Sequence, residues 1–418
     1  MIAYHFPPLA GSSGIQRTLR FAQQLPDYGW QPIVLTIQPH AYERCAPDLL
    51  RELPPSLPVE RAFGLDSARH LAIGGRYPGW LARPDRWTTW RFDAVRRGLR
   101  LIREHGIQAL WSTYPIATAH VIGAALQRRS GLPWIADFRD PMAQENYPAD
   151  PATRARFLDI EKASAHRAAA MVFTTPGAAR IYQQRYPNAA RKMSVLENGY
   201  DEASFADVER KGTPQPLNPG HLTVLHSGIV YPWERDPTHL LMAIATLKRD
   251  APHVAHRLRL RFRAPVHEDL LKRLATQQGV TELIEILPAT GYKEALAEML
   301  AADALLVLQA ANCNEQIPAK LYEALRCRRP VLCLSDPNGD TVGVLRALGL
   351  HTHAALDDAT AIARLLTDFV RAEDAAESYP RPDPAQVALA SRDARTAELA
   401  RLLGTVTAGQ MGARPNDA

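Results

Sequence analysis

The sequence contains no apolar run approaching the ~20 residues that a membrane-spanning helix needs, so no bilayer-crossing segment is expected. Cysteine is scarce: Cys45, Cys313, Cys327 and Cys333 are the only four, and none falls in a Cys-x-x-Cys pair. That argues against a disulfide framework or a zinc site and for reduced, mostly buried thiols. His267-Glu268 opens like a zinc-protease motif, but position 271 is Leu, so the second histidine is missing. Residues 1–8 lack the basic start and long apolar core of a signal peptide, so a cytoplasmic location is expected. No short internal repeat and no RNA-module signature occurs, which leaves nucleic acid without support as a partner.

What is there reads as a globular chain. Hydrophobic residues make up 46% and charged residues 22%, and 418 residues exceed one ordinary core, so two or three domains are expected. Strand-like runs alternate with amphipathic helical ones, the pattern of parallel α/β domains. The first half offers strands at 2–6, 31–37, 108–112, 133–137, 170–174 and 193–196. The second offers strands at 222–227, 257–263, 283–287, 303–308 and 330–334, with helices including 318–328. The pattern predicts a first domain over 1–205, with a basic and aromatic insertion at about 60–95. A polar linker at 206–220 and a second domain over 221–384 follow. A helix at 385–406 and a disordered tail at 407–418 complete the chain. Two such domains place a cleft between the carboxyl edges of their sheets.

The densest chemistry lies in Glu315-Gln316-Ile317-Pro318-Ala319-Lys320-Leu321-Tyr322-Glu323. Pro318 suits a first helical position, which puts Glu315 in the preceding loop and Glu323 in the second turn. Lys320 near a helix N-terminus opposes the macrodipole, and a bound diphosphate would reverse that penalty. The two carboxylates are then placed to accept hydroxyl hydrogen bonds on either side of the phosphates, the layout of a nucleotide-sugar. As a bare pair of glutamates the run also fits an ordinary surface helix.

Three other segments carry candidates. Residues 4–18 read as strand, loop and helix start, with Gly11, Ser12, Ser13 and Gly14 letting a ligand approach the backbone; a plain βα turn fits as well. The loop is not Gly-x-Gly-x-x-Gly, which argues against a dinucleotide site. Asp137-Phe138-Arg139-Asp140-Pro141 ends an apolar strand. Asp140 can orient a hydroxyl or take its proton, and Arg139 can bind a phosphate or hold Asp140. A bracing network of Asp137, Arg139 and Asp140 is the plainer alternative. His120, in the first turns of the next helix, is either a structural or a catalytic imidazole. In the second half, Gly228 ends a strand and Arg235 precedes a helix, with Asp236 as cap and Pro237 as first residue. Arg235 is the best diphosphate partner beside Lys320, and Arg263 is a weaker one.

The Glu-x7-Glu run, the loop at 4–18, the Asp137–Pro141 run and Asn198-Gly199-Tyr200-Asp201 resemble, in order, those of glycosyltransferase family 4. The resemblance implies the GT-B fold, with two Rossmann-like parallel-sheet domains facing a central cleft. It implies a retaining, metal-independent hexosyltransferase that draws on a UDP- or GDP-sugar and needs no cofactor. The absence of any Asp-x-Asp pair agrees, since metal-dependent transferases of the other fold class use one. By this resemblance Glu323 would hold the ribose, Glu315 the sugar hydroxyls, and Lys320 and Arg235 the diphosphate, with Gly228, Ile317, Pro318, Gly11 and Gly14 also binding the donor and Ser12, Ser13, Arg139 and Asp137 lining the acceptor side. Glu315, Asp140 and His120 would serve catalysis, and the acceptor would be a glycan or lipid-linked oligosaccharide of cell-surface or exopolysaccharide synthesis. The chain departs from the family where Ile229 follows Gly228 in place of a basic residue. A strand opening at Met1 is also short for a central first strand. A GT-B-fold nucleotide-sugar epimerase and a catalytically silent nucleotide-sugar-binding subunit therefore remain as alternatives.

Residues 76–103 hold eight arginines against two aspartates, while the whole chain is +5, so the basicity is local. Interleaved with Tyr77, Trp80, Trp87, Trp90 and Phe92, this segment is a candidate for docking on an anionic membrane surface, which would place the protein peripherally on the inner face.

Overall fold

The computed structural model describes residues 1–11, 14–145, 147–212, 215–374 and 379–411. The chain divides into two units. One is Met1–Glu197 with the stretch from Arg392 onward, and the other is Asn198–Ser391.

The first unit carries β1 (Val34–Ile37), β2 (Val59–Ala62), β3 (Leu110–Thr113), β4 (Trp134–Arg139), β5 (Ala170–Phe173) and β6 (Met193–Val195). Strands β3 to β6 pair in parallel in chain order, and β1 pairs in parallel with β2. Ile2 bridges both Leu35 and Ser112, which inserts the start of the chain between β1 and β3. The strand expected over 2–6 is therefore one bridge long, because the backbone turns away after it and Leu9 pairs with Cys45 instead. Strand β2, Val59-Glu60-Arg61-Ala62, escapes a hydrophobicity pattern because half of it is charged. Helices cover the sheet, and β1, β3 and β5 are buried along their whole length, as parallel strands sandwiched by helices must be. Gly123 matters here: a Cβ would meet Trp134 Nε1 at 2.6 Å, so its absence lets the helix Thr118–Ser130 lie close on β4.

The helical pattern at the C-terminal end resolves into two pieces. Pro384–Ala388 lies in the second unit, and Arg392–Met411 in the first. Leu399, Ala400 and Leu403 of the latter share a buried cluster with Phe21, Leu25 and Trp111. Arg395 ties it further, to Glu197 at 2.5 Å. The tail expected to be disordered from 407 is helical to Met411. Residues 412–418 lie outside the described residues.

The second unit has β7 (Leu222–Ser227), β8 (Leu258–Arg263), β9 (Ile284–Leu287), β10 (Ala304–Gln309), β11 (Val331–Ser335) and the short β12 (His353–Ala354). Their order is β9-β8-β7-β10-β11-β12, all parallel. The direction of winding reverses between β7 and β10, the place where doubly wound sheets open a crevice at their carboxyl ends. The stretch 198–205, expected in the first domain, belongs to this unit, as does part of the expected linker. Asp201 caps the helix Glu202–Glu209, its carboxylate accepting from Ser204 N at 3.2 Å. Phe205 of that helix is fully buried, and Arg326 reaches back to both Glu202 and Glu209. Of the expected linker 206–220, residues 206–209 are the last turn of this helix, where Glu209 pairs with Arg326.

Candidate active site

At the carboxyl end of β10 the chain makes a short turn, Ala311–Cys313, and then the loop that carries Glu315. The loop is fixed by its neighbours. Gln309 Nε2 donates to Cys313 O at 3.1 Å, Asn314 Nδ2 to Asp336 Oδ2 at 2.8 Å, and Thr341 Oγ1 to Gln316 O at 3.0 Å. Glu315 stands exposed on this braced loop. The helix Ala319–Arg326 follows, with Pro318 as its cap in extended conformation rather than its first helical residue. Ile317, expected to help hold the donor, buries its side chain in the second unit's core, leaving only its backbone to border the loop.

Glu323 lies in the second turn of this helix and is 7% exposed. Its Oε1 accepts from the Tyr292 hydroxyl at 2.9 Å, and Lys320 Nζ sits 2.9 Å from Oε2. Lys320 also lies over the Tyr292 ring, 5.8 Å from its centroid. The structure thus brings together two residues given separate roles on sequence grounds, and adds Tyr292, 31 residues away on another helix. No local pattern points to Tyr292; it is found only by the fold.

Across the switch point, β7 leads into Gly228. Its N–H donates to Arg263 O at 3.0 Å, and Val230 N to Pro265 O, so the loop runs on beside the end of β8. Arg235 folds back over this loop, donating to Ile229 O at 3.1 Å with its guanidinium 5.3 Å from the Tyr231 ring. Asp236 accepts from Thr238 N at 2.9 Å, and the helix runs Thr238–Asp250, one residue later than expected, with Pro237 as its cap. Arg263 is not available to a phosphate. It makes a two-pronged contact with Glu298 at 2.7 Å and donates to Pro288 O.

His226 is a second residue that sequence reasoning passed over. It is buried at the end of β7, and Leu306 O, which can only accept, receives a hydrogen bond from its Nδ1–H at 3.0 Å. Its Nε2 is buried without a hydrogen-bond partner among the described residues. Burial lowers its pKa to about 4, and the charges of Arg235 and Lys320 add to that. The field of both cations reaching one imidazole agrees with their convergence on this strand end.

The first unit holds the remaining candidates. Gly11 has φ +79°, a left-handed turn that favours glycine, and Gly14 opens the helix Gly14–Gln24. Ser12 and Ser13 lie outside the described residues. Asp137 is fully buried and does not face a ligand. Arg17, on the helix just named, clasps it with Nε at 2.9 Å and Nη2 at 3.3 Å, and donates to Leu196 O and Glu197 O as well. The bracing partner of Asp137 is therefore Arg17 and not Arg139. Arg139 sits at a register shift in β4 with φ +61°, a conformation uncommon outside glycine, and its Nε has no partner among the described residues. Burial raises the pKa of Asp140, which Arg139 partly opposes, and the Thr174 hydroxyl lies 3.4 Å from its Oδ1. Burial lowers the pKa of His5 to about 4, helped by the charge of Arg139, so His5, Arg139 and Asp140 share one neighbourhood at the end of β4.

His120 is corrected to a core residue. It is fully buried, its Nδ1 is 2.8 Å from Ser112 Oγ, and its ring lies 4.5 Å from Phe138. Burial lowers its pKa to about 3, which keeps it neutral and inert.

The arginine-rich segment is less basic in space than in sequence. Arg83 pairs with Asp150, Arg86 with Asp66 and Glu43, Arg97 with Glu60 and Asp93, Arg96 with Asp93, and Arg100 with Glu60 and Glu104. Arg76, Arg91 and Arg103 form no ion pair among the described residues. Ile73, Trp80 and Phe92 are exposed there. Among the described residues no helix is long and apolar enough to cross a membrane, and no group of three or more His, Cys, Asp or Glu could hold a metal ion. Three of the four cysteines are buried, and Cys45 is exposed.

Comparison with solved structures assigns the fold. HepE from Anabaena, solved in complex with UDP, is 14% identical with a TM-score of 0.57, covering 97% of each chain. WaaG, described as a glycosyltransferase involved in lipopolysaccharide biosynthesis, is 12% identical with a TM-score of 0.56 over 98% of each chain. A putative UDP-N-acetylglucosamine 2-epimerase from Listeria monocytogenes, 10% identical, aligns over 97% of this chain and 96% of its own with a TM-score of 0.56. The two parallel-sheet units are thus those of the GT-B fold. Residues 13–199 match the family model of the glycosyl transferase 4-like domain. The first unit is thus similar to the glycosyl transferase 4-like domain, and the chain as a whole has the GT-B fold. Among curated proteins no match is found.

Proposed function

We propose that this protein is a retaining hexosyltransferase that works without a metal ion. It would move a sugar from a UDP- or GDP-sugar to a hydroxyl of a glycan or lipid-linked oligosaccharide, in cell-surface or exopolysaccharide synthesis. The observation that carries the reading is the convergence at the second unit's switch point. There Arg235, Lys320 and a helix N-terminus supply positive charge, and Glu315 and Glu323 flank it with carboxylates.

In this reading Arg235 and Lys320 stabilise the charge that grows on the leaving diphosphate as the anomeric C–O bond breaks. Glu323 accepts from the ribose and Glu315 from the sugar hydroxyls. The acceptor oxygen forms the new bond on the face the diphosphate leaves. Its proton passes to Asp140, whose raised pKa suits a proton acceptor, or to a departing phosphate oxygen. The strained, under-satisfied Arg139 would hold an acceptor phosphate near Asp140. The solved complexes of HepE with UDP and with UDP-glucose support a nucleotide-sugar as donor on the same fold. We further assign the exposed Ile73, Trp80 and Phe92, with Arg76, Arg91 and Arg103, to docking on the anionic inner face of the cytoplasmic membrane.

The test is turnover: purified protein, a panel of nucleotide-sugars, EDTA, and a lipid-linked glycan fraction as acceptor. Acceptor-dependent release of nucleotide from one donor, lost in Asp140→Asn, is expected. Conversion of the donor sugar to its epimer with no acceptor would replace this reading with the epimerase.

A further inference from the structure

We propose that Tyr292 is a positioning residue that sets recognition of the ribose through Glu323. The inference rests on the donor-site reading above and adds to it a residue that no sequence motif contains.

Three contacts link these residues. The Tyr292 hydroxyl donates to Glu323 Oε1 at 2.9 Å, Lys320 Nζ lies 2.9 Å from Oε2, and Lys320 also rests over the Tyr292 ring. The two ends of the carboxylate differ in what they hold. Oε1 has a neutral donor on a stiff aromatic side chain. Among the described residues Oε2 is buried, has no well-aligned hydrogen bond, and is met by the charge of Lys320. The lysine is 44% exposed on its side-chain atoms, so it is the mobile member.

An arriving diphosphate offers Lys320 a stronger partner than a single carboxylate. Once Lys320 turns to it, Oε2 is left as an open acceptor, which is what a ribose hydroxyl requires. Tyr292 keeps its own hydrogen bond through this exchange, because its hydroxyl donates to the other oxygen. It therefore fixes the plane of the carboxylate and the direction in which Oε2 points. Without the tyrosine hydroxyl, Glu323 loses its orientation when Lys320 leaves, and the contact to the ribose is no longer selective.

The test measures affinity for UDP and GDP and for their 2′-deoxy and 3′-deoxy counterparts by titration calorimetry, with wild type, Tyr292→Phe, Lys320→Ala and Glu323→Gln. Wild type should prefer the ribonucleotide over one deoxy form by about tenfold, the size of one hydrogen bond to a charged group. Tyr292→Phe should cut that ratio to about twofold or less. Lys320→Ala should weaken ribo and deoxy forms alike and leave the ratio standing. Glu323→Gln should lose the ratio with or without the tyrosine, which tests the coupling by a route that leaves the ring in place. A Tyr292→Phe variant that keeps the wild-type ratio overturns the inference while leaving the donor site intact. A wild type that binds neither diphosphate overturns the donor site and this inference together.

Discussion

Asp137 and Asp140 stand three residues apart at the end of one strand, and the structure separates their work sharply enough to predict opposite phenotypes. Asp137 is fully buried against Arg17, which is itself 3% exposed. Asp137→Asn keeps the shape and one acceptor oxygen but removes the charge, leaving the buried Arg17 guanidinium with neutral acceptors, that oxygen and the carbonyls of Leu196 and Glu197. Removing one member of such a pair costs about 3–5 kcal/mol. In a unit of roughly 200 residues that corresponds to a fall in Tm on the order of 10 °C. Replacing both partners by apolar residues, Arg17→Met with Asp137→Leu, should cost less than the sum of the two single changes, because no uncompensated charge remains. Asp140 is the reverse case. Burial raises its pKa, so its carboxylate destabilises the fold at neutral pH, and Asp140→Asn should melt no lower than wild type while losing turnover. The assay is a thermal melt of each variant followed by turnover at a temperature where all are folded. An Asp137→Asn protein melting within about 2 °C of wild type would refute the assignment of Asp137 to a buried ion pair.

Two further outcomes follow from the same structure. His120 and His226 are buried with pKa values lowered to about 3 and about 4, while the unfolded chain binds these protons below about pH 6.5. Stability from their neutral forms is thus complete above pH 6.5 and lost as pH falls from there toward 4, at about 1.4 kcal/mol per pH unit for each group. His120→Gln, which retains a partner for Ser112, should show a smaller drop in Tm between pH 7 and pH 4.5, and an equal drop would contradict the burial argument. For the exposed patch, wild type should sediment with vesicles rich in phosphatidylglycerol at low salt, and Trp80→Ser with Phe92→Ser should not; equal binding by both proteins would remove the patch as a membrane contact.

The parts of this architecture that were legible in sequence are those written in local periodicity. Most interior strands fall within a few residues of their expected positions, because each is a short apolar run closed by a turn. The Glu315–Glu323 run was legible for the same reason, since a proline and a spacing define a loop and a helix face. What was hidden lies in contacts between distant segments. Arg17 meets Asp137 across 120 residues and Tyr292 meets Glu323 across 31. Neither distance leaves a trace in a linear pattern. The arginine-rich stretch misled because charge was summed along the chain. Glu43, Glu60, Asp66 and Asp150 arrive from other elements and neutralise much of it. His120, on a helix, and His226, at a strand end, illustrate the converse: both are buried, and only their partners tell the core residue from the one beside Arg235 and Lys320. The start of the expected linker at 206 is helical to Glu209, which Arg326 holds from 117 residues away.

The central claim is that the second unit holds a nucleoside diphosphate without a metal ion, on Lys320, Arg235 and Glu323. The most direct measurement is titration calorimetry of UDP and GDP into the protein in EDTA, for wild type and Glu323→Ala. Removing Glu323 deletes a charged acceptor for the ribose. The account predicts saturable binding of one diphosphate by wild type and at least a tenfold loss in the variant, about 1.4 kcal/mol. Binding of neither diphosphate, or binding that Glu323→Ala leaves untouched, would contradict it.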